Sequence, residues 1–208
     1  VLRVTDGSGA FAVQSFIVTV ENTNDAPVFT SEPITEATED EEYSYTVVAE
    51  DIDIGDEIVL TTVLLPSWLS FVDNGDGTGE LNGTPENADV GDHQVELLVT
   101  DIDGTTSTQN FTVAVDNTND APFFTSEEDT TATEDVNYIY SVTADDIDAG
   151  DELVITASTI PAWLQLVDNG DGTGELSGTP ENADVGDHGV VLRVTDGSGA
   201  FAVQSFIV

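Results

Sequence analysis

The stretch YSYTV at residues 43–47 alternates aromatic or apolar side chains with polar ones, and the acidic turn DIDIGD follows at residues 51–56. A period of two is typical of a β-strand with one face in the core. The alternation returns in VELLV at residues 95–99 and FTVAV at residues 111–115. No segment has a helical period long enough to predict a helix, so these strands and their Gly-, Asp- and Pro-rich turns predict an all-β sandwich.

The sequence repeats itself at an offset of 95 residues. Residues 25–113 and 120–208 share 57 of 89 positions, and residues 1–18 are identical to residues 191–208. Each repeat has the size of an ordinary domain. We expect residues 1–24 to be the C-terminal strands of a preceding repeat and residues 25–119 to be a whole sandwich of about seven strands (type A). Residues 120–208 are then a second sandwich (type B) with its last strand truncated.

The offset of 190 between identical segments predicts a parent that alternates the two domain types. The chain contains no Met. We therefore expect it to be a slice of a longer array, joined end to end.

The chain has 42 acidic residues and only 2 Lys or Arg, which gives a formal charge of -40. A polyanion such as nucleic acid cannot be neutralised by so few cations, so nucleic acid is excluded as a partner. The absence of Cys excludes disulfides, thiolate zinc sites and cysteine nucleophiles. An apolar fraction of 39% in alternating runs predicts a folded chain, and no apolar run is long enough for direct membrane insertion.

Several conspicuous residues are expected to be structural. Trp68, Leu69 and Phe71 and their counterparts Trp163, Leu164 and Leu166 should fill the core. The isolated His93 and His188 have no Ser or Cys partner pattern and no metal-site spacing. The Asn- and Gly-rich stretch at residues 73–77, repeated at 168–172, favours a hairpin turn over an ion site.

The remaining acidic residues form clusters that recur in register. Three carboxylates within six residues repel one another unless a cation lies between them, and the chain has almost no Lys or Arg to supply it. Hard oxygen ligands on turns favour Ca2+, which takes six to eight of them. The clusters are Asp51, Asp53 and Asp56 with Asp146, Asp148 and Asp151; the linkers at residues 21–27 and 116–122; and Asp6, Asp101 and Asp196 after Val-Thr.

Two simpler interpretations stay open for these acids. High acidity keeps a protein hydrated in salt without binding an ion at a defined place. Asp and Asn are also favoured in turns because their side chains hydrogen-bond to the nearby backbone.

Taken together, these motifs resemble the cadherin repeat, and more closely the bacterial cadherin-like domains of the dystroglycan type and their Ig-like relatives. The linker NDAPFF at residues 119–124 is similar to the cadherin linker, and DID at residues 146–148 is similar to the Asp-x-Asp turn. TED at residues 133–135 matches an early acidic position, and WLSF followed by GTP at residues 68–71 and 83–85 is similar to the bacterial branch. The resemblance covers essentially all of each repeat.

The resemblance implies Ca2+ between consecutive domains, held by the upper domain, the linker and the lower domain. The second junction would use Glu39, Asn119, Asp120, Asp146, Asp148 and Asp196. The first junction would use Asn24, Asp25, Asp51, Asp53 and Asp101. Asp56 and Asp151 complete the candidate metal ligands, with Asp89, or alternatively Glu86, as the counterpart of a mid-domain acidic pair.

The chain departs from the cadherin pattern where Ala26 and Ala121 replace a further Asn. Fewer ions per junction are therefore expected than in a cadherin.

The function implied by the resemblance is a calcium-stiffened structural repeat, serving as stalk, extender or filament of a large extracellular or cell-surface bacterial adhesion protein. Its partners would be neighbouring repeats of the same chain, and identical chains or polysaccharide. The alternative function is a carbohydrate-binding or homophilic-adhesion module, for which Tyr43, Tyr45, Tyr138 and Tyr140 are the candidate sugar-stacking residues. No constellation of residues predicts an enzyme.

Overall fold

The computed structural model describes all residues, 1–208, and is almost entirely β-structure. An N-terminal hairpin comprises β1 (Leu2–Thr5) and β2 (Phe11–Gln14). The first repeat, residues 25–119, contains eight strands and one 3-10 helix. These are β3 (Val28–Phe29), β4 (Glu36–Thr38), β5 (Tyr43–Glu50), β6 (Val59–Leu64), β7 (Leu69–Asp73), β8 (Thr78–Gly83), η1 (Asn87–Asp89), β9 (Gly91–Thr100) and β10 (Thr106–Asp116).

The second repeat, residues 120–208, contains seven strands and an equivalent 3-10 helix. These are β11 (Phe123–Phe124), β12 (Tyr138–Asp145), β13 (Val154–Thr159), β14 (Leu164–Asp168), β15 (Thr173–Gly178), η2 (Asn182–Asp184), β16 (Gly189–Thr195) and β17 (Phe201–Ile207). No helix is both long enough and apolar enough to cross a lipid bilayer.

The strands form two sheets per repeat, which confirms the predicted sandwiches. The first repeat has the orders β3-β5-β8-β7 and β4-β10-β9-β6, and the second has β11-β12-β15-β14 and β13-β16-β17. β4 runs parallel to β10, whereas the pairs β11–β12, β12–β15 and β13–β16 are antiparallel. The three stretches read as strands from sequence lie in β5, β9 and β10.

The chain divides into two compact units that differ from the sequence repeats. The first unit comprises residues 1–34, 44–82 and 94–112, and the second comprises residues 35–43, 83–93 and 113–208. Two segments of the first repeat, residues 35–43 and 83–93, are therefore grouped with the linker and the whole second repeat.

Alternation along the strands places one face of each strand in a core. The burial pattern of β5 switches residue by residue, and the inward residues of the second repeat form one apolar cluster around Leu176, Leu192 and Val194, each fully buried. Leu69 and Leu164 are buried as predicted, while Trp163 is half-buried and packs edge-on against Tyr138.

The four tyrosines point inward, and the hydroxyl groups of Tyr45, Tyr138 and Tyr140 have hydrogen-bond acceptors inside the protein. Tyr43, Tyr45, Tyr138 and Tyr140 are all at most 4% exposed. The Tyr140 hydroxyl donates to Gln204 Oε1 at 2.9 Å, and the Tyr45 hydroxyl donates to Gln109 Oε1 at 3.0 Å.

Residues 73–77 form the predicted hairpin turn between β7 and β8. The Asn74 amide donates to Thr78 O at 3.0 Å, and Asp76 Oδ1 accepts from both the backbone amide and the hydroxyl of Thr78. Gly77 has φ of 83°, and a Cβ there would lie 2.8 Å from Ala49 O. A side chain at this position is therefore excluded by both conformation and space.

Identical sequence at two places allows a controlled test of core burial. Leu192 is fully buried in β16, whereas Leu2, the identical position in residues 1–18, is 58% exposed. We expect Leu192→Ala to lower the free energy of unfolding by about 2–5 kcal/mol, and Leu2→Ala to change it by less than about 0.5 kcal/mol. Urea denaturation of both variants measures the difference, and equal losses would contradict this packing.

Candidate metal centre

Hydrogen bonds to Asp51 and Asp53 stabilise the acidic turn of the first repeat. It connects β5 to β6, which belong to different sheets. The Asp53 amide donates to Asp51 Oδ1 at 2.8 Å, and the Asp56 amide donates to Asp53 O at 3.3 Å. Because Val59 pairs with Thr100, the turn lies beside Asp101, the residue that follows β9.

One oxygen from each of Asp51, Asp56 and Asp101 lies within 4.8 Å of the others. The equivalent residues of the second repeat, Asp146, Asp151 and Asp196, form the same arrangement. We call these two groups the turn clusters. Each contains oxygen donors only, the donor set that Ca2+ prefers.

The linkers are fastened onto these turns by hydrogen bonds. Asn24 Nδ2 donates to Asp101 Oδ2 at 2.9 Å, and the Asp25 amide donates to Asp53 Oδ2 at 2.7 Å. Asn22 Nδ2 also donates to Asp53, at 2.8 Å.

The second linker repeats this geometry. Asn119 Nδ2 donates to Asp196 Oδ2 at 2.9 Å, and the Asp120 amide donates to Asp148 Oδ2 at 2.7 Å. The carboxylates of Asp53 and Asp148 thus hold linker amides, whereas the flanking aspartates form the turn clusters.

A third group, the joint cluster, combines residues of both repeats within the second compact unit. Oxygens of Glu39, Asp120 and Asp148 lie within 4.8 Å of one another. Glu39 follows β4 of the first repeat and is 1% exposed. It is held in place because its Oε2 accepts from the Thr118 amide at 3.0 Å and its own amide donates to Asp116 O at 2.9 Å.

Asn87 is a joint residue that the sequence analysis did not identify. It lies in η1 of the first repeat, and its Nδ2 donates to Asp148 Oδ1 at 3.2 Å. The predicted mid-domain ligand Asp89 lies outside all three clusters: its Oδ2 accepts from the Glu86 amide at 3.1 Å in a capping box. The sequence contains one signal for Asn87: the stretch Glu86-Asn87-Ala88-Asp89 recurs unchanged at residues 181–184.

Both histidines have structural contacts. His93 Nε2 lies 2.6 Å from Asp89 O, and His188 Nε2 lies 2.6 Å from Asp184 O. The His188 ring also packs edge-on against Trp163.

The clusters contain oxygens without hydrogen-bond partners. Buried Oδ2 atoms of Asp51, Asp56, Asp146 and Asp151 have no donor, although their carboxylates lie close to others. Unpartnered buried carboxylate oxygens are costly in a protein unless a cation or proton neutralises them. The donor set of the turn clusters therefore fits a hard cation.

The local electrostatics point the same way. Desolvation, followed by repulsion from Asp51 and Asp53, raises the pKa of Asp56 above its ordinary value. Desolvation and repulsion from Asp146 and Asp148 raise the pKa of Asp151, and desolvation and repulsion from Asp148 and Asp40 raise the pKa of Asp120.

Asp101 and Asp196 behave differently because each has hydrogen-bond donors. The Asn24 side chain lowers the pKa of Asp101, with backbone donors at Thr105 and Gly104 adding to the effect. The Asn119 side chain lowers the pKa of Asp196 in the same way, with donors at Gly199 and Ala200. Each turn cluster therefore contains one carboxylate whose pKa lies below its ordinary value and one whose pKa lies above it.

The fold and these acidic turns define a class, the Ig-like and cadherin-like tandem repeats. The chain belongs to the family described as "Putative Ig domain", whose model matches residues 26–116 and 121–208. No curated protein matches the sequence.

Two protocadherin structures share this fold. Protocadherin gamma B2 extracellular cadherin domains 1–5 are similar with a TM-score of 0.63 and 17% identity, over 87% of this chain and 38% of that one. Protocadherin gamma B7 domains 1–4 are similar with a TM-score of 0.60 and 15% identity, over 88% and 49%. An endo-fucoidan hydrolase of glycoside hydrolase family 107 matches 98% of this chain and 32% of its own at 26% identity and a TM-score of 0.44. The chain thus spans between a third and a half of these structures.

The raised pKa of Asp56 predicts how the stability of the fold depends on pH. Because the folded state holds this proton more tightly than the unfolded state, the free energy of unfolding falls as pH rises from the ordinary value of 3.8 through the raised pKa. In chelator at neutral pH, we expect Asp56→Asn to raise the melting temperature, and in calcium to lower it relative to the parent chain. Differential scanning calorimetry under both conditions measures the reversal.

Asp76→Asn is the matched control, since hydrogen bonds from Thr78 lower the pKa of Asp76. This carboxylate stabilises the fold above its ordinary pKa and loses that effect as pH falls. We expect the variant to be less stable with and without calcium. A lower melting temperature for Asp56→Asn in chelator would show that its carboxylate is not repelled in the folded state.

Proposed function

We propose that the chain is a calcium-stiffened structural repeat, a stalk, extender or filament segment of a large extracellular bacterial adhesion protein. The observation that carries the proposal is the joint cluster, in which Glu39 of the first repeat lies within 4.8 Å of Asp120 of the linker and Asp148 of the second repeat. A cation bound there is shared by two repeats.

The residues around the joint are arranged to hold such a cation. Glu39 is fixed by Thr118, and Asp148 is oriented by the Asp120 amide and Asn87 Nδ2. When bound, Ca2+ would supply positive charge and take six to eight oxygen ligands. The turn cluster of Asp146, Asp151 and Asp196 supplies a second place, contributed by the second repeat alone.

The same carboxylates explain how stiffness would depend on calcium. Without a cation, the charges of Glu39 and Asp120 repel each other across the joint. The linker then also lacks the attachment that the cation would provide. With the charge neutralised, the hydrogen bonds of Thr118 and Asn87 persist on both sides of the linker and restrict its orientation.

The expected affinity favours a location outside the cell. Extracellular calcium modules bind with dissociation constants of about 0.1 to 1 mM, so such a joint fills only in calcium-rich surroundings. Membership of an Ig-like family and the likeness of the fold to protocadherin ectodomains support an adhesion-type setting.

The alternative carbohydrate-binding function loses the tyrosines that were its candidate stacking residues. Sugar binding by stacking needs exposed aromatic rings. The four tyrosines that were candidates for this role are buried in the two sandwich cores.

Two equivalent glutamates provide the test. Glu39 lies in the joint cluster, whereas Glu134, its counterpart 95 residues later, lies in none of the three clusters. In dilute protein, we expect calcium to change the radius of gyration, because a fixed joint samples fewer orientations, and to raise the melting temperature. We expect Glu39→Gln to weaken the calcium response about 10- to 100-fold, and Glu134→Gln to leave it unchanged.

Small-angle scattering and calorimetry across a calcium titration give both readouts. Gln keeps the acceptor for the Thr118 amide, so the variant isolates the loss of charge. Scattering that is unchanged by calcium in the parent chain, or equal responses of the two variants, would overturn the joint as the binding place.

A further inference from the structure

The outer face of one sheet in the second repeat carries apolar side chains in exposed positions. In the antiparallel pair of β16 and β17, Arg193 lies opposite Val203 and Thr195 lies opposite Phe201. Phe201 is 51% exposed and Val203 is 52% exposed, while Val191 lies half-buried on the same face. We call the outward side chains of Val191, Arg193, Phe201 and Val203 the type-B face.

The first repeat shows that the fold does not require these side chains. Its corresponding strands pair in the same order, β10-β9-β6 against β17-β16-β13. The counterparts of the type-B face are Glu96, Leu98, Thr106 and Thr108. Exposed apolar residues at positions where the same fold accepts polar ones indicate a surface that contacts another molecule.

Continuation of the chain does not cover this face. A linker and a further repeat follow β10 of the first repeat, and Thr106 and Thr108 on the corresponding face are still exposed. The type-B face is therefore a side surface of the sandwich, separate from the joints.

The type-B face is free of carboxylates. Strands β13, β16 and β17 contain no Asp or Glu, in a chain that has 42 of them. The Arg193 Cζ lies 3.8 Å from the Phe201 ring centroid, and the Arg193 Nε is buried without a hydrogen-bond partner. A stacked guanidinium is suited to binding a carboxylate. This face consequently fits a surface that offers a carboxylate next to an apolar side chain.

The first repeat has such a surface. A shallow hollow of about 260 Å³ contains Glu96 of β9 and Leu64 of β6, which are paired in register. Leu64 is 47% exposed, and the polar side chains of Gln94, Asn110 and Thr112 surround the pair. We call these five residues the type-A hollow.

The hollow is specific to the first repeat. In the second repeat, Val191 replaces Glu96 and Thr159 replaces Leu64. The carboxylate and the apolar side chain that complement the type-B face are therefore both missing from the second repeat.

We propose that the type-B face of one molecule docks on the type-A hollow of a second copy of this chain. The Phe201 ring enters the hollow and packs against Leu64. The Arg193 guanidinium donates to the Glu96 carboxylate, forming a charge-assisted pair. Both surfaces lie on sheet faces, so the contact joins chains side by side. It goes beyond the proposed function and does not depend on calcium at the joints.

A single contact of this kind is weak. Three strands about 4.8 Å apart and about 20 Å long cover roughly 300 Å², below the about 800 Å² per partner of a stable interface. Two chains of charge -40 also repel each other. In about 0.15 M salt the Debye length is about 8 Å, so repulsion between distant carboxylates is screened while the touching pair still attracts. Several repeats in one chain would strengthen the association by avidity.

Amide NMR and translational diffusion over a protein concentration series test the docking with the 208-residue chain. The solution contains chelator and about 0.15 M salt, which removes any contribution of calcium. We expect diffusion to slow as concentration rises. The amide signals of residues 94–98, 106–112, 191–195 and 201–205 should shift together.

Charge reversal distinguishes this contact from non-specific association. Glu96→Arg makes the chain less negative, which favours non-specific association, but it should weaken docking at least about tenfold because Arg193 then faces a like charge. Arg193→Glu in the same chain should restore docking, together with Arg3→Glu because residues 1–18 repeat 191–208. Glu175→Arg, the same change at an exposed position of β15, is the matched control and should not weaken docking.

A second variant removes the aromatic ring without changing charge. Phe11→Thr/Phe201→Thr introduces the residue that the first repeat has at Thr106, so the sandwich should stay folded, with an unchanged melting temperature. We expect docking to weaken at least about tenfold, because a buried aromatic anchor is lost.

The outcomes are separable from those of the calcium joint. A parent chain whose signals and diffusion stay constant up to about 1 mM protein would overturn docking, and so would equal effects of Glu96→Arg and Glu175→Arg. If the reversed-charge chain does not fold, an unweakened Phe11→Thr/Phe201→Thr chain would overturn it instead. None of these results changes the expected response of the joint to calcium, which is measured in dilute protein.

Discussion

The mutual repulsion of carboxylates at the acidic turns is the constraint on which the rest of the structure depends. The backbone brings Asp51, Asp56 and Asp101 together because the β5–β6 connection crosses from one sheet to the other beside the end of β9. Neutralisation by the protein itself is not available. The chain has no Lys, and its two arginines, Arg3 and Arg193, stack on Phe11 and Phe201 at 3.9 and 3.8 Å from the ring centroids. The chain therefore carries far more carboxylates than basic side chains that could neutralise them.

Neighbouring aspartates of each acidic turn have different hydrogen-bond partners. Asp53 and Asp148 are buried and accept backbone amides from the linkers. The flanking Asp56 and Asp151 have unpartnered oxygens and raised pKa values, caused first by desolvation. One turn thus combines a structural carboxylate with carboxylates free to take an ion. A substitution in this turn is consequently expected to act on linker attachment at Asp53 or Asp148, and on the electrostatics of the turn cluster at Asp56 or Asp151.

The sequence predicted much of this, and the limits of the prediction have physical causes. Period-two alternation predicts β5, β9 and β10, and recurrence in register identifies the turn and linker carboxylates. The contact of Asn87 with Asp148 spans 61 residues, and nothing in local spacing indicates it. Asp89 looks like a ligand by its acidity, but a short turn uses it as a cap. Local patterns specify elements, whereas contacts between repeats depend on tertiary placement.

The identical segments 1–18 and 191–208 show how far tertiary placement reaches. Val194 is fully buried, whereas Val4, with the same neighbours in sequence, is 68% exposed. Pattern therefore establishes that such a hairpin is amphipathic, but only a packing partner makes it part of a core. The same reasoning applies to the acidic residues. Glu39 is buried and held by Thr118 because the following linker passes over it, while Glu134 stays half-buried beside a cavity. In the first repeat, the core and the joint cluster are thus completed by the same segment, the end of β10 and the linker that follows it.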